Sequence, residues 1–227
     1  LKTIELIKPG ITNYHEAWDF QRKLFDQVVE ERSENYLILT EHKPVITLGK
    51  SGTLENLLTD PSLLSSKGID LVEIDRGGDI TFHGPGQLIG YPILDLSQFQ
   101  KDVHWYLRNL EEVIIQTLRD FGIRAVRIAK LTGVWVNNRK ICAIGVKVTR
   151  WVTMHGFALN ISTDLEYFNH IIPCGISNHG VTSILEETGN IIARKDVINS
   201  LCNHFRSLFD VTMREKHKIS DLTFPNP

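Results

Sequence analysis

Asp75-Arg76-Gly77-Gly78-Asp79-Ile80-Thr81-Phe82-His83-Gly84-Pro85-Gly86-Gln87-Leu88-Ile89-Gly90-Tyr91 carries five glycines and one proline, with apolar runs on both sides. Glycine lets the backbone take positive φ and lets another group approach closely. Between the glycines stand side chains able to bind or donate: Arg76, Thr81, His83, Gln87 and Tyr91. Dense glycine with interleaved donors is the composition of a backbone wrapped around a ligand. A β-hairpin with tight turns would account for Gly77-Gly78 and Gly84-Pro85-Gly86. It would not account for Arg76 and His83 at the two ends of one short segment, so the stretch reads as a site.

The rest of the chain sets the frame for it. With 227 residues, one substantial core is expected. Residues 3–7 alternate β-branched and polar types and read as a strand that Pro9-Gly10 ends. Thr12 or Asn13 can cap a helix over 14–31, whose Ala17, Trp18, Leu24, Phe25 and Val28 follow helical spacing. Two short strands follow at 36–40 and 45–48. Gly49-Lys50-Ser51-Gly52 resembles the end of a phosphate loop, but Pro44 stands where that loop needs glycine. Asp60-Pro61 opens a short helix to about Ser66. A strand over 70–74 leads into the Arg76 segment, and a strand over 87–96 leaves it. Asp102 can cap a long helix to about Phe121, which Gly122 stops. Strands are expected at 125–128, 133–136, 141–148 and 152–161, with Asn137-Asn138 as a hairpin turn. A short helix over 164–168 and a last helix over 195–209 close one α/β domain spanning 1–227.

Composition excludes several classes. The formal net charge is −2 and basic residues do not cluster, so a nucleic-acid partner is not expected. No apolar run approaches membrane-spanning length, so no membrane partner is expected either. The first residues lack the layout of a signal peptide, and the three cysteines are odd in number and widely spaced. Both features point to a reducing compartment, and a cytoplasmic location is expected. No C-x-x-C occurs and the nine histidines show no ligand spacing, so no metal site is expected.

Three features outside the glycine stretch carry candidate chemistry. Cys174 lies between Pro173 and Gly175, on a sharp bend that could present its sulfur to a pocket. Cys142 and Cys202, in an apolar strand and the closing helix, read as small buried hydrophobes. Lys140 follows the Asn137-Asn138 turn, and on composition alone it reads as a solvated turn residue. If it points inward beside a thiol, its ammonium favours the thiolate. Small residues in Met154-His155-Gly156-Phe157-Ala158-Leu159-Asn160 leave room for a pocket wall.

The run from Arg76 to Tyr91 resembles the signature of the octanoyltransferases, also called lipoate-protein ligase B. The resemblance continues through Arg139-Lys140-Ile141-Cys142-Ala143-Ile144-Gly145-Val146, then 155–160, then Pro173-Cys174-Gly175-Ile176, in the family's order. It implies a biotin/lipoate-protein-ligase-like α/β fold, a mixed sheet with flanking helices. It implies transfer of an octanoyl or lipoyl group from acyl carrier protein to a lysine of a lipoyl domain. The acceptors implied are the lipoyl domains of 2-oxoacid dehydrogenase complexes and the glycine cleavage H protein. By motif position the family's Cys/Lys dyad maps to Cys174 and Lys140, which displaces the turn-residue reading of Lys140. Its acyl-binding segments map to Arg76, Gly77, Gly78, Asp79, Ile80, Thr81, Phe82 and His83, to Ala143, Ile144 and Gly145, and to Gly156, Phe157 and Ala158. His83 would shape or polarise the carbonyl site. Because a thioester donor is already activated, neither ATP nor metal is expected, and a monomer is expected. The competing readings are an ATP-dependent lipoate or biotin protein ligase on the same fold, a non-catalytic acyl-binding protein, and a thiol hydrolase with His83 as base.

Overall fold

The computed structural model describes residues 2–32, 34–172 and 179–216. The strands are β1 Lys2–Thr12, β2 Asn35–His42, β3 Val45–Leu48, β4 Asp70–Glu73, β5 Ile80–His83, β6 Gln87–Ile93, β7 Val126–Ile128, β8 Leu131–Val136, β9 Arg139–Thr149, β10 Val152–Asn160, β11 Gly180–Val181 and β12 Val211–Glu215. The α-helices are α1 Tyr14–Glu31, α2 Pro61–Ser66, α3 Val103–Asp120, α4 Ile184–Thr188 and α5 Arg194–Phe209.

Local sequence accounts for the helix starts. Asn13 Oδ1 accepts from the His15 amide at 2.9 Å, Asp60 caps α2 with Pro61 in its first turn, and Asp102 Oδ1 accepts from both His104 and Trp105. Each long helix buries one stripe. Leu110, Val113, Ile114 and Leu118 of α3 meet Val197, Leu201 and Phe205 of α5 on one face of the main sheet. Phe20, Leu24, Phe25 and Val28 of α1 cover the other face.

Among the described residues, the main sheet runs β12-β1-β2-β6-β10-β9-β8-β7, with β11 added alongside β9. Its β12, β1 and β2 are parallel, and from β2 to β7 neighbours are antiparallel. A second sheet, β4-β3-β5, has its own small core of Ile46, Leu64, Ile80 and Phe82. This mixed α/β architecture is the expected fold class.

Several expectations change in detail. β1 does not end at Pro9-Gly10 but runs to Thr12, through a register shift between Ile7 and Gly10. Its β12 neighbour pairs only up to Leu6, so Pro9 sits where no ladder bond on that side is lost. β6 stops at Ile93 because Asp95 turns its carboxylate onto the Ser97 amide and starts a 3-10 turn. The short helix expected at 164–168 is a 3-10 helix over Leu165–His170. The hairpin reading of the glycine stretch fails, because β5 pairs with β3 and β6 pairs with β2 and β10. The segment 84–86 crosses from one sheet to the other. Gly86, at φ +79°, passes so close to Ser162 that a Cβ would stand 2.7 Å from its carbonyl.

Candidate active site

The crossing leaves a gap between the sheets, and a cavity of about 290 Å³ fills it. One wall is the adjacent pair β9 and β10. Their register sets Gly145 opposite Gly156 and Ala143 opposite Ala158, so two small pairs flank the pair Ile144–Phe157. Phe157 also belongs to the core under α3 and α5, and Ile144 packs against that core. The facing wall is the segment from Arg76 to His83, and Lys140 closes one end.

Gly49-Lys50-Ser51-Gly52 does not offer its amides to a ligand. The Gly49, Lys50 and Ser51 amides donate to the carbonyls of Asp79, Arg76 and Gly78 at 3.0–3.3 Å. The turn therefore clamps the Arg76 loop. The Gly77 amide fastens the same loop to β9 through Val146 O at 3.0 Å. Arg76 lies between these fixings, buried, with a Cβ on Gly145 placed 3.1 Å from its Cδ and one on Gly49 placed 2.7 Å from its Nη1. Glycine at both positions makes the channel for the guanidinium.

A directed chain of hydrogen bonds starts at that guanidinium. Arg76 Nη2 donates to Thr47 Oγ1 at 2.9 Å, and Thr47 donates to His83 Nε2 at 3.3 Å. His83 Nδ1 donates to Gln87 Oε1 at 2.8 Å, and Gln87 Nε2 donates to Asn160 Oδ1 at 2.8 Å. Asn160 Nδ2 donates to Thr182 O, and the Thr182 amide donates to Lys140 O. Both ring nitrogens of His83 are engaged, and burial above all, with the nearby His42, pushes it down to about 3. It is a neutral linker near neutral pH. The structure thus gives no support to His83 as a thiol base, the role the hydrolase reading requires.

Asp75 ties the loop to the sheet from its other side. Its carboxylate accepts from His155 Nε2 at 2.8 Å and from Lys147 Nζ at 2.5 Å. The His155 bond, then Lys147, holds Asp75 well below the usual carboxylate range. Burial lowers His155, so the neutral ring donates from Nε2 and turns an acceptor Nδ1 inward. That nitrogen is buried and has no hydrogen-bond partner among the described residues.

Of the residues expected to bind the acyl group, Arg76, Gly78, Asp79, Ile80, Thr81, His83, Ala143, Ile144, Gly145, Gly156, Phe157 and Ala158 line the cavity. Two do not. Phe82 alternates to the opposite face of β5, where its ring stacks on Tyr167 inside the small-sheet core. Gly77 serves as the tie to Val146. Tyr14, Ile89, Tyr91 and His155, outside the acyl-binding segments that the resemblance implies, also line the cavity. Tyr91 and the buried His42 share a 2.6 Å hydrogen bond, and burial pushes His42 down to about 4. The donor-rich glycine stretch already named Tyr91, and the small-residue run already held His155. Tyr14 gave no signal, because its position as the first residue of α1 reveals nothing of a cavity formed by distant strands.

Lys140 is buried, 9% exposed, which rules out the solvated-turn reading. Cys174 lies outside the described residues. On either side of it, the Ile172 amide donates to Asn56 O and Val181 pairs with Lys140. Asn56 in turn donates to Asp79 Oδ2 at 2.6 Å, on the cavity wall. The other two cysteines are unsuited to attack. Burial raises the Cys142 thiol well above its usual range and the Cys202 thiol to about 11. Among the described residues, no group of three or more His, Cys, Asp or Glu is placed to hold a metal ion, and no helix is long and apolar enough to cross a membrane.

A description of the lipoyl protein ligase A/B catalytic domain matches residues 13–206. The chain is 48% identical to the octanoyltransferase of Flavobacterium psychrophilum, over 93% of this chain and 99% of that one. In structure it is similar to lipoate-protein ligase A bound with ATP, with a TM-score of 0.75 at 16% identity, covering 96% of this chain and 90% of that one. It is similar too to a bi-partite lipoate protein ligase studied with its E2 lipoyl domain from Thermoplasma acidophilum, with a TM-score of 0.70 at 17% identity, covering 96% and 87%. Identities this low show a common fold. The family match spans most of the chain and the octanoyltransferase identity nearly all of it, so the chain belongs to the lipoyl protein ligase A/B catalytic-domain family, among its octanoyltransferases.

Proposed function

We propose that this acyltransferase moves an octanoyl group from acyl carrier protein to a lysine of a lipoyl domain, through a thioester on Cys174. The observation that carries the reading is the cavity itself. It is closed by the buried Lys140 and walled by the glycine and alanine pairs of β9 and β10. An apolar chain can lie along those pairs while its carbonyl stays near the ammonium.

On this reading Lys140 takes the Cys174 proton, and the thiolate attacks the donor thioester. A C–S bond to Cys174 forms, the C–S bond to the carrier breaks, and the carrier thiolate leaves with the proton from Lys140. The acceptor amine then attacks the acyl-enzyme. Its C–N bond forms, Cys174 departs as thiolate, and Lys140 collects the proton the amine loses. Arg76 and the chain from Thr47 to Thr182 hold the pocket wall and the Lys140 backbone in one register. They need not titrate. The donor is already a thioester, so the cycle needs neither nucleotide nor metal.

Incubation with octanoyl-carrier protein and a lipoyl domain, without nucleotide, tests the proposal. Octanoylation of the acceptor lysine is expected. Transfer that occurs only with ATP and free octanoate would establish the ligase reading instead.

A further inference from the structure

β8 is bonded to β9 directly across from Lys140, and its residues shape where that side chain goes. The register sets Trp135 opposite Lys140, just after an irregularity at Val134. Lys140 Nζ lies 4.8 Å from the centroid of the Trp135 ring. Two residues earlier, Gly133 takes φ +129°, and a Cβ there would stand 3.7 Å from Lys140 Cε. The lysine stem therefore runs past Gly133 toward the indole. The Gly133 amide donates to the buried Glu111 carboxylate at 3.2 Å, and Arg108 and Arg127 hold that carboxylate from outside.

Trp135 is only 1% exposed, and its indole N–H has no hydrogen-bond partner among the described residues. A buried indole N–H ordinarily finds an acceptor. What this ring offers its surroundings is its π face, and an ammonium sits over that face. His179 stands edge-on to the same ring, with centroids 5.1 Å apart. Cation–π attraction is strongest for Trp and grows when the pair is removed from water.

We infer that Trp135 is the positioning residue for Lys140: its face holds the side chain at the cavity wall as a cation. The inference deepens the acyl-transfer reading and rests on it for what Lys140 does in the reaction. In that cycle the ammonium that Lys140 becomes on taking the Cys174 proton stays at the cavity wall, where it favours the thiolate before donor arrives and has a proton ready for the departing carrier thiol.

The test weakens the ring face without changing its shape. Tryptophans with increasing fluorine substitution are incorporated at position 135 alone. Lys140 is then labelled with limiting acetic anhydride at mildly alkaline pH, with the exposed Lys23 as internal reference. Only a neutral amine acylates, so labelling of Lys140 relative to Lys23 should climb stepwise with fluorination, by about threefold or more across the series. Trp135→Leu should label fastest, and Trp135→Phe, which keeps a weaker face, should fall between. Octanoyl transfer should decline in the same order. Labelling that is flat across the fluorinated series overturns the inference. The outcome for the function is separate: if Lys140→Ala transfers normally while labelling still climbs, the placement by Trp135 stands and the catalytic reading of Lys140 fails. If Lys140→Ala is inactive and labelling is flat, the reverse holds.

Discussion

Gly145→Ala isolates the fit between the Arg76 loop and the sheet. Gly145 lies on β9 opposite Gly156, facing the loop that carries Arg76. A Cβ there would stand 2.8 Å from Gly77 O and 3.1 Å from Arg76 Cδ, where ordinary contact begins at 3.4 Å. The loop must retreat by about 0.6 Å to make room. It is not free to do so, because Gly77 N is bonded to Val146 O at 3.0 Å and the Gly49–Ser51 amides grip it from behind. A retreat of that size takes the Gly77 bond out of hydrogen-bonding range. Losing that bond costs about 1 kcal/mol, and overpacking a tight site costs about 1–3 kcal/mol. In a chain of this length each kcal/mol lowers Tm by about 2–4 °C, so a fall of about 4–16 °C is expected. Activity should suffer more than stability, because the loop forms the pocket wall. A displacement of this order in a positioned site can cost about a hundredfold in kcat/KM. Thermal unfolding, with octanoyl transfer measured well below the new Tm, gives both numbers. A variant with wild-type Tm and wild-type transfer would refute the idea that glycine at 145 is what lets the loop seat.

Lys140→Ala should lower transfer by about two to four orders of magnitude, the usual range for a positioned acid–base group, and Lys140→Arg should not restore it because guanidinium cannot accept a proton; normal transfer by either variant counts against the proton role. Buried His42 and His83, pushed down to about 4 and about 3, stay neutral in the folded chain while the unfolded chain takes up protons below about pH 6.5. The unfolded state then binds more protons, so their contribution is whole above that pH and is lost as pH falls from 6.5 toward 4 and 3. Urea titrations near pH 5 should show stability falling steeply with acid, and His42→Gln should flatten the slope by about one proton; an unchanged slope would remove His42 from this account. Shortening the donor chain from octanoyl to hexanoyl removes two methylenes, each worth about 0.8 kcal/mol when buried, so kcat/KM should fall about 15-fold. Equal rates for the two donors would mean that the chain does not lie in the cavity.

What the sequence revealed divides along the range of the interactions. Helix starts were legible because Asn13, Asp60 and Asp102 act on amides two or three residues away. The glycine stretch was legible as a site because the close approaches of Gly86 and Gly90 admit no side chain. Its partition between two sheets was not, since β5 pairs with β3 some thirty-five residues earlier and no local pattern records that. Phe82 is the instructive miss. As a residue type it suits an acyl pocket, but alternation along the four-residue strand β5, which nothing local marks, sends it into the small-sheet core. β12 was missed for a related reason: Thr212, Arg214 and Glu215 leave a short polar edge that pairs with β1 across almost the whole chain. Asp75, His155 and Lys147 likewise meet only once β9, β10 and the loop are assembled.

Intact mass measurement after exposure to octanoyl-carrier protein, without acceptor, reads the acyl-enzyme itself. One octanoyl adduct is expected, mapped by peptide analysis to Cys174, lost in Cys174→Ala and kept in Cys142→Ala and Cys202→Ala. Adding a lipoyl domain should discharge the adduct onto the acceptor lysine. An adduct that persists in Cys174→Ala, or transfer to the acceptor by that variant at the wild-type rate, would contradict a thioester on Cys174.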